Sequence, residues 1–186
     1  MVAPAGLGAA LLLLSLAALD ARGDALGTVE RMVAWRYPVA QIDVAELAAR
    51  RGDSRPWLFD VRREDEFAVS HLPGAVRLPP DTDAAAFLQT YRKRLHGRSV
   101  VFYCTVGARS SRLAWALRDR LTDTDAITVY NLRGGILRWQ AANLSLENAS
   151  GATTWVHPYD RLWARLAARP DRLSTVPRND APAVPP

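Results

Sequence analysis

Residues 100–114 have the sequence VVFYCTVGARSSRLA, which contains the one cysteine of the 186-residue chain. The apolar run that ends at Tyr103 predicts a strand buried on both faces, and the stretch from Arg109 to Leu121 predicts a helix. Cys104 would then lie between them, close to helical N–H groups that have no partner within the helix. These N–H groups and the charge of Arg109 favour the thiolate, which is the reactive form of cysteine.

The alternative interpretation of Cys104 is structural, because a free cysteine most often serves as a small apolar filler of the core. A filler needs neither Gly107, which permits a sharp turn, nor the fixed positive charge of Arg109. We therefore interpret Cys104 as a nucleophile. The residues that follow it form the predicted anion-binding loop: Thr105, Val106, Gly107, Ala108, Arg109 and Ser110.

Three segments of the chain resemble the motifs of single-domain rhodanese-like sulfurtransferases. Residues 104–110 (CTVGARS) resemble the active-site loop of that family. Residues 58–62 (LFDVR), followed by Glu66-Phe67 and by residues 71–75 (HLPGA), resemble its first motif. Residues 129–136 (VYNLRGGI) and Trp139 resemble its last strand and paired glycines. The three motifs follow the family's order over about residues 39–146, which chance would rarely produce.

The resemblance implies a sulfurtransferase that works by two-step covalent catalysis. The Cys104 thiolate would take the outer sulfur of a small donor such as thiosulfate and pass it from a persulfide to a thiol, cyanide or protein acceptor. The loop N–H groups and Arg109 would stabilise the anionic persulfide. Asp60 and Arg62 would support the site, with Asp60 either paired with an arginine near the loop or capping a backbone turn; the second role is preferred. The alternative is a sulfur-relay or binding module with negligible turnover of small donors.

Loop length separates this chemistry from that of the related dual-specificity phosphatases. Four residues separate Cys104 from Arg109, whereas those phosphatases place five between the corresponding residues. A shorter loop makes a smaller cradle, which suits a sulfane sulfur better than a tetrahedral phosphate. The loop length therefore favours sulfur transfer over phosphate hydrolysis.

Strands that alternate with helices predict an α/β fold. We expect a single rhodanese-like domain with a central, mostly parallel five-stranded sheet flanked by helices. Its strands include residues 57–61, 75–78, 99–103 and 127–130, and its helices residues 43–50, 83–95 and 109–121. The loop after Tyr103 would then lie at the carboxyl edge of the sheet, where such folds bind ligands.

Composition argues against two other kinds of site. The histidines, at positions 71, 96 and 157, and the single cysteine show no metal-ligand spacing, so neither a metal nor a cofactor is expected. The net charge of +5 and the pI of about 10.0 are compatible with nucleic-acid binding. The arginines are nevertheless spread along the chain without a basic run or interleaved aromatic residues, so no nucleic-acid partner is expected. The oligomeric state is not predicted.

The two ends of the chain extend beyond the predicted domain. Residues 1–30 contain an apolar stretch of 14 residues, 6–19, which is typical of a signal peptide or a membrane anchor. Export to the periplasm or the medium, or a membrane tether, is expected; the alternative is a cytoplasmic protein that begins at Met32. Residues 147–169 form an extension with a short helix at 160–168, whose Leu162, Trp163 and Leu166 would pack on the domain. Residues 170–186, rich in proline, are predicted to be disordered.

Overall fold

The computed structural model describes residues 25–50, 55–95, 97–125 and 127–179, and the side chains of all of these except 122–125. His96 lies outside these ranges. The sheet consists of β1 (Ala40–Ile42), β2 (Trp57–Asp60), β3 (Val76–Arg77), β4 (Val100–Tyr103) and β5 (Val129–Leu132). The strands are parallel and lie in the order β1-β5-β4-β2-β3. This architecture confirms the predicted fold and places β4 at the centre.

Helices connect the strands and cover both faces of the sheet. The helix over residues 25–36 is α1. The others are α2 (Val44–Ala49), α3 (Glu64–Val69), α4 (Ala84–Leu95), α5 (Ala108–Asp125), α6 (Gly135–Ala141) and α7 (Arg161–Ala164). The chain also forms an antiparallel pair, β6 (Leu146–Asn148) and β7 (Gly151–Thr153), and a 3-10 helix at Pro170–Arg172.

The side chains of β4 alternate between two apolar clusters, as the pleat of a strand requires. Val101 and Tyr103 belong to a cluster that also contains side chains of α1, α2 and α6. Val100 and Phe102 belong to the opposite cluster, built with α4 and α5. All four residues are completely buried. The continuous apolar sequence of β4 is thus explained by burial on both faces.

The C-terminal segment differs from its prediction in three respects. The helix predicted over 160–168 ends at Ala164, after which Arg165 and Leu166 donate to carbonyls three residues earlier. Trp163 and Leu166 pack against the first cluster as expected, but Leu162 is 62% exposed. Residues 170–179, which we predicted to be disordered, are ordered. Composition did not reveal their order because it comes from backbone pairing with a distant segment: Ser174 N–H donates to the carbonyl of Val156 at 3.0 Å.

The beginning of the described chain packs on the domain. Leu26 of α1 is buried, and Glu30 forms an ion pair of 2.8 Å with Arg138 of α6. Both residues precede Met32. No helix within the described ranges is long and apolar enough to cross a membrane. Residues 1–24 and 180–186, which contain most of the predicted leader and the end of the predicted tail, lie outside those ranges.

Candidate active site

Cys104 lies immediately after the central strand, at the carboxyl edge of the sheet where the ends of β2 and β5 also lie. The loop from Cys104 leads directly into α5, which begins at Ala108. Gly107 has a φ of +93°, a conformation that few residues other than glycine adopt. The sharp turn expected at Gly107 is therefore confirmed. Cys104 itself is only 1% exposed.

The beginning of α6 determines which way the loop's polar groups point. Ile136 N–H donates to the carbonyl of Cys104 at 2.9 Å, and Leu137 N–H donates to the carbonyl of Thr105 at 3.2 Å. The two carbonyl groups are thereby turned toward α6 and away from the sulfur. The backbone N–H groups of Val106 and Ser110 donate hydrogen bonds to the Cys104 sulfur. The loop consequently surrounds the sulfur with donors, an arrangement that suits an anion.

The electrostatic environment favours the Cys104 thiolate. Burial raises the pKa of the thiol, but the charge of Arg109 and hydrogen bonds from Ser110 and Val106 outweigh this, so the pKa lies below its ordinary value of 9.0. A thiol with a lowered pKa supplies more of the nucleophilic form near neutral pH. This environment agrees with the expectation from the sequence that loop N–H groups and the charge of Arg109 favour the thiolate.

Glu66 of α3 is the partner that holds Arg109. Its side chain is completely buried, and its carboxylate accepts hydrogen bonds from Arg109 Nη1 and Nη2, both at 2.8 Å. The same carboxylate accepts from the Thr105 hydroxyl at 3.0 Å and from Arg63 N–H at 3.0 Å. Burial raises the pKa of Glu66, but the hydrogen bonds and the charge of Arg109 lower it by more than burial raises it. The pKa of Glu66 therefore lies below its ordinary value of 4.5. The pair fixes the Arg109 guanidinium beside the loop.

Glu66 lies within the first of the three motifs, but its sequence position indicates no role at the loop. The reason is that an acidic residue in the first turn of a helix is expected to cap that helix, and Glu66 does accept the N–H of Arg63. Its second role depends on Arg109 and Thr105, which are far away in sequence. The Thr105 side chain takes part in the same contacts, because its hydroxyl donates to Glu66.

Asp60 and Arg62 form a completely buried ion pair with an Nη2 to Oδ2 distance of 2.7 Å. Asp60 also accepts the backbone N–H of Arg62 at 3.0 Å, and Arg62 donates to the carbonyl of Ser70. The arginine bound by Asp60 is thus its neighbour in sequence and not Arg109. Asp60 thus caps the turn after β2, which was the preferred role, and together with Arg62 it joins the end of β2 to the end of α3.

Asn131 is a second residue near the loop that sequence reasoning missed. The Ser110 hydroxyl donates to Asn131 Oδ1 at 2.7 Å, and Asn131 Nδ2 donates to Gln41 Oε1 at 2.8 Å. These bonds connect the first turn of α5 to β5 and β1. A buried asparagine in an otherwise apolar strand is the signal that could have indicated this contact, since a buried amide needs hydrogen-bond partners.

A family model described as "Rhodanese-like domain" matches residues 43–142. The chain belongs to this family. The matched region contains the loop from Cys104 to Ser110, its partner Glu66 and the Asp60–Arg62 pair, whereas the segment after residue 142 lies outside it.

Curated relatives of this rhodanese-like chain have different names. A sulfurtransferase from Allochromatium vinosum is 31% identical over 114 residues, a match that covers 61% of this chain and 99% of that protein. The dual specificity phosphatase ibp1 from Schizosaccharomyces pombe is 30% identical over 102 residues, covering 45% of this chain and 73% of that protein. The chain spans 65% of an uncharacterised Bacillus subtilis protein and 26% of a tRNA uridine(34) hydroxylase from Oceanobacillus iheyensis.

A solved structure supports the fold. The thiosulfate sulfurtransferase from Pseudomonas aeruginosa is 22% identical and superimposes with a TM-score of 0.50, covering 76% of this chain and 26% of that one. This similarity concerns the architecture alone. Within the described residues of the rhodanese-like chain, no group of three or more metal-ligating side chains is found.

The glycine at the first position of α6 leads to a stability prediction. Gly135 has a φ of +56°, and a Cβ atom there would lie 2.2 Å from the Cys104 carbonyl oxygen and 2.7 Å from that of Thr105. Gly135→Ala should therefore push the loop away from α6 and destabilise the protein by about 2–3 kcal/mol, measured as a shift in the urea midpoint. Gly74→Ala is the matched control, because its φ is +73° and its Cβ would meet the flexible end of the Arg55 side chain at 3.2 Å. An equal loss in both variants would contradict a specific effect on the loop.

Proposed function

We propose that this rhodanese-like chain is a sulfurtransferase that carries sulfane sulfur as a persulfide on Cys104. The observation that supports this most directly is a buried thiol with a lowered pKa, enclosed by loop N–H groups at the end of the central strand. The name of the Allochromatium vinosum relative, whose whole length the match covers almost completely, agrees with it.

The proposed reaction has two displacement steps. The Cys104 thiolate attacks the outer sulfur of thiosulfate, the sulfur–sulfur bond of the donor breaks, and sulfite leaves with the bonding electron pair. The N–H groups of the loop and the charge of Arg109 stabilise the anionic persulfide. A thiolate or cyanide then attacks that sulfur, and the Cys104 thiolate leaves, so no net oxidation or reduction of the enzyme occurs over the cycle.

Phosphatase activity is the competing possibility, because one curated relative is named as a phosphatase. The loop with four residues between Cys104 and Arg109 offers few N–H groups for three phosphate oxygens, which favours sulfur transfer. Parallel assays with thiosulfate plus cyanide and with a phosphate ester distinguish the two activities.

A mass measurement tests the proposal. Reduced protein is incubated with thiosulfate, separated from the donor and analysed intact by mass spectrometry. We expect a gain of one sulfur atom that is lost again after cyanide treatment. Because the chain has one cysteine, the gain reports on Cys104 alone, and protein alkylated beforehand with iodoacetamide serves as the control.

The outcome separates the proposal from its alternatives. No sulfur gain from thiosulfate or from an inorganic polysulfide would contradict a persulfide enzyme. A stable persulfide that forms without steady-state turnover of thiosulfate and cyanide would indicate a sulfur-relay module that depends on a protein partner.

A further inference from the structure

The segment after the rhodanese-like region returns to the candidate active site. The ring centroid of Tyr159 lies 4.5 Å from Cζ of Arg109 and 5.1 Å from Cζ of Arg63. Residues 43–142 carry the family match, so Tyr159 belongs to a part of the chain outside it. The aromatic ring nevertheless contacts the arginine whose charge acts on Cys104.

The neighbouring residues hold Tyr159 in place. Val156 is completely buried, and its N–H donates to the carbonyl of Arg172 at 3.0 Å. His157 is 5% exposed, and its Nδ1 accepts the N–H of Tyr159 at 2.9 Å. Tyr159 has a φ of +70°, an uncommon value for a residue other than glycine, which the surrounding contacts must maintain. The position of the ring is therefore determined by the fold.

We propose that Tyr159 is a positioning residue of the site, which covers one face of the Arg109 guanidinium and keeps it beside Glu66 and Cys104. The Arg109 side chain is 23% exposed, so water has partial access to its charge. An aromatic ring over a guanidinium attracts it through the ring quadrupole and excludes water from that face. A less solvated charge acts more strongly on its neighbours. Tyr159 thereby increases the effect of Arg109 on the thiolate.

Other charged groups surround Arg109, and their charges do not change in the pH range in which the effect of Tyr159 on Cys104 is measured. They are Asp65 and Glu66 of α3, Arg62 and Arg63 before it, and His157 of the extension. The lowered pKa of Glu66 and the raised pKa of Arg62 and of Arg109 keep these three groups charged between about pH 7 and pH 9. Burial lowers the pKa of His157 below 6.5 despite the opposing charges of Glu66 and Asp65, so the imidazole is neutral there. The pH dependence of Cys104 alkylation in this range is therefore not overlaid by changes in the charge of Glu66, Arg62, Arg109 or His157.

The test is the pH dependence of Cys104 alkylation by iodoacetamide, measured from the mass of the intact protein. The wild-type midpoint should lie below 9.0. Tyr159→Asn removes the ring, while asparagine tolerates the left-handed backbone conformation. We expect its midpoint to rise by about half a pH unit, so that alkylation below the midpoint slows about threefold. Tyr159→Leu, which fills the space without an aromatic face, should behave in the same way.

Two comparisons distinguish positioning from a purely structural role. Tyr159→Phe keeps the ring and should retain the wild-type midpoint, whereas Leu162→Ala, at a 62% exposed position of the same extension, should change nothing. Thermal melting of every variant confirms that it is folded. An unchanged midpoint in folded Tyr159→Asn or Tyr159→Leu, or a Phe variant that titrates like them, would overturn the proposal.

The measurement does not depend on sulfur transfer. It reports the ionisation of the thiol, so it remains valid if thiosulfate leaves no persulfide on Cys104. The significance of the positioning for catalysis rests on the proposed function. If that function holds, the rate of persulfide formation at neutral pH should decrease in Tyr159→Asn by the same factor as alkylation.

Discussion

Cys104→Ser is expected to abolish sulfur transfer, with a loss of about a thousandfold or more. Serine provides no sulfur on which a persulfide can form, and its hydroxyl is not ionised near neutral pH. The polar surroundings of the loop, including the N–H groups of Val106 and Ser110, accommodate a hydroxyl group, so the fold should remain intact. Thiosulfate:cyanide turnover and thermal melting, recorded together, measure the two effects.

Ser111→Ala is a suitable control for this experiment. Ser111 lies in the first turns of α5 and is completely buried, and its hydroxyl has no hydrogen-bond partner among the described residues. Removal of an unsatisfied hydroxyl should be neutral or slightly stabilising, and activity should persist. Sulfur transfer that survives in Cys104→Ser would rule out a covalent persulfide at this residue.

Glu66→Ala is expected to produce the largest loss of stability, about 3 kcal/mol in the free energy of unfolding. The change removes the acceptor of four hydrogen bonds and leaves the Arg109 charge without its carboxylate. This loss is at the lower end of the range for a broken buried ion pair, because the Arg109 side chain is 23% exposed and can reach water. Urea denaturation followed by circular dichroism measures the loss.

Glu64→Ala controls for the loss of an acidic residue in the first turn of α3. Glu64 is 85% exposed and lies 3.6 Å from Arg77, so its removal should cost less than about 1 kcal/mol. If both alanine variants lost the same amount, the effect would belong to the helix end and not to the Glu66–Arg109 pair.

The same carboxylate gives stability a defined pH dependence. The folded-state pKa of Glu66 lies below 4.5, so its ionisation stabilises the protein above pH 4.5, and this contribution is lost as the pH falls through the folded pKa. The difference in unfolding free energy between wild type and Glu66→Gln should accordingly be constant above pH 4.5 and shrink below it. A difference that stayed constant into the acid range would contradict this assignment.

Local patterns allowed the sheet and the loop to be predicted. The apolar residues of β4 need burial on both faces, and Gly107 needs a positive φ, so both features appear in the sequence as composition and spacing. The partner of Arg109 could not be derived in this way. Glu66 satisfies a local rule as a helix-capping acid, and its role beside the loop exists only because α3 and the loop after β4 meet at the same edge of the sheet.

In the C-terminal segment, too, the local sequence did not predict what contacts with remote residues decide. Its proline content predicted disorder from residue 170, but the contacts of residues 172–174 with Val156 order the chain. That pairing and the buried side chain of His157 bring Tyr159 to Arg109, although 49 positions separate the two residues.

The sequence by itself determined the family, the parallel α/β architecture and Cys104 as the candidate nucleophile, because each depends on residues close together in the chain. Only the tertiary structure decided that Glu66 holds Arg109 and that Tyr159 lies over the site. The physical reason is that charge pairing and water exclusion depend on distance in space, and distances between remote segments are set by how strands and helices pack.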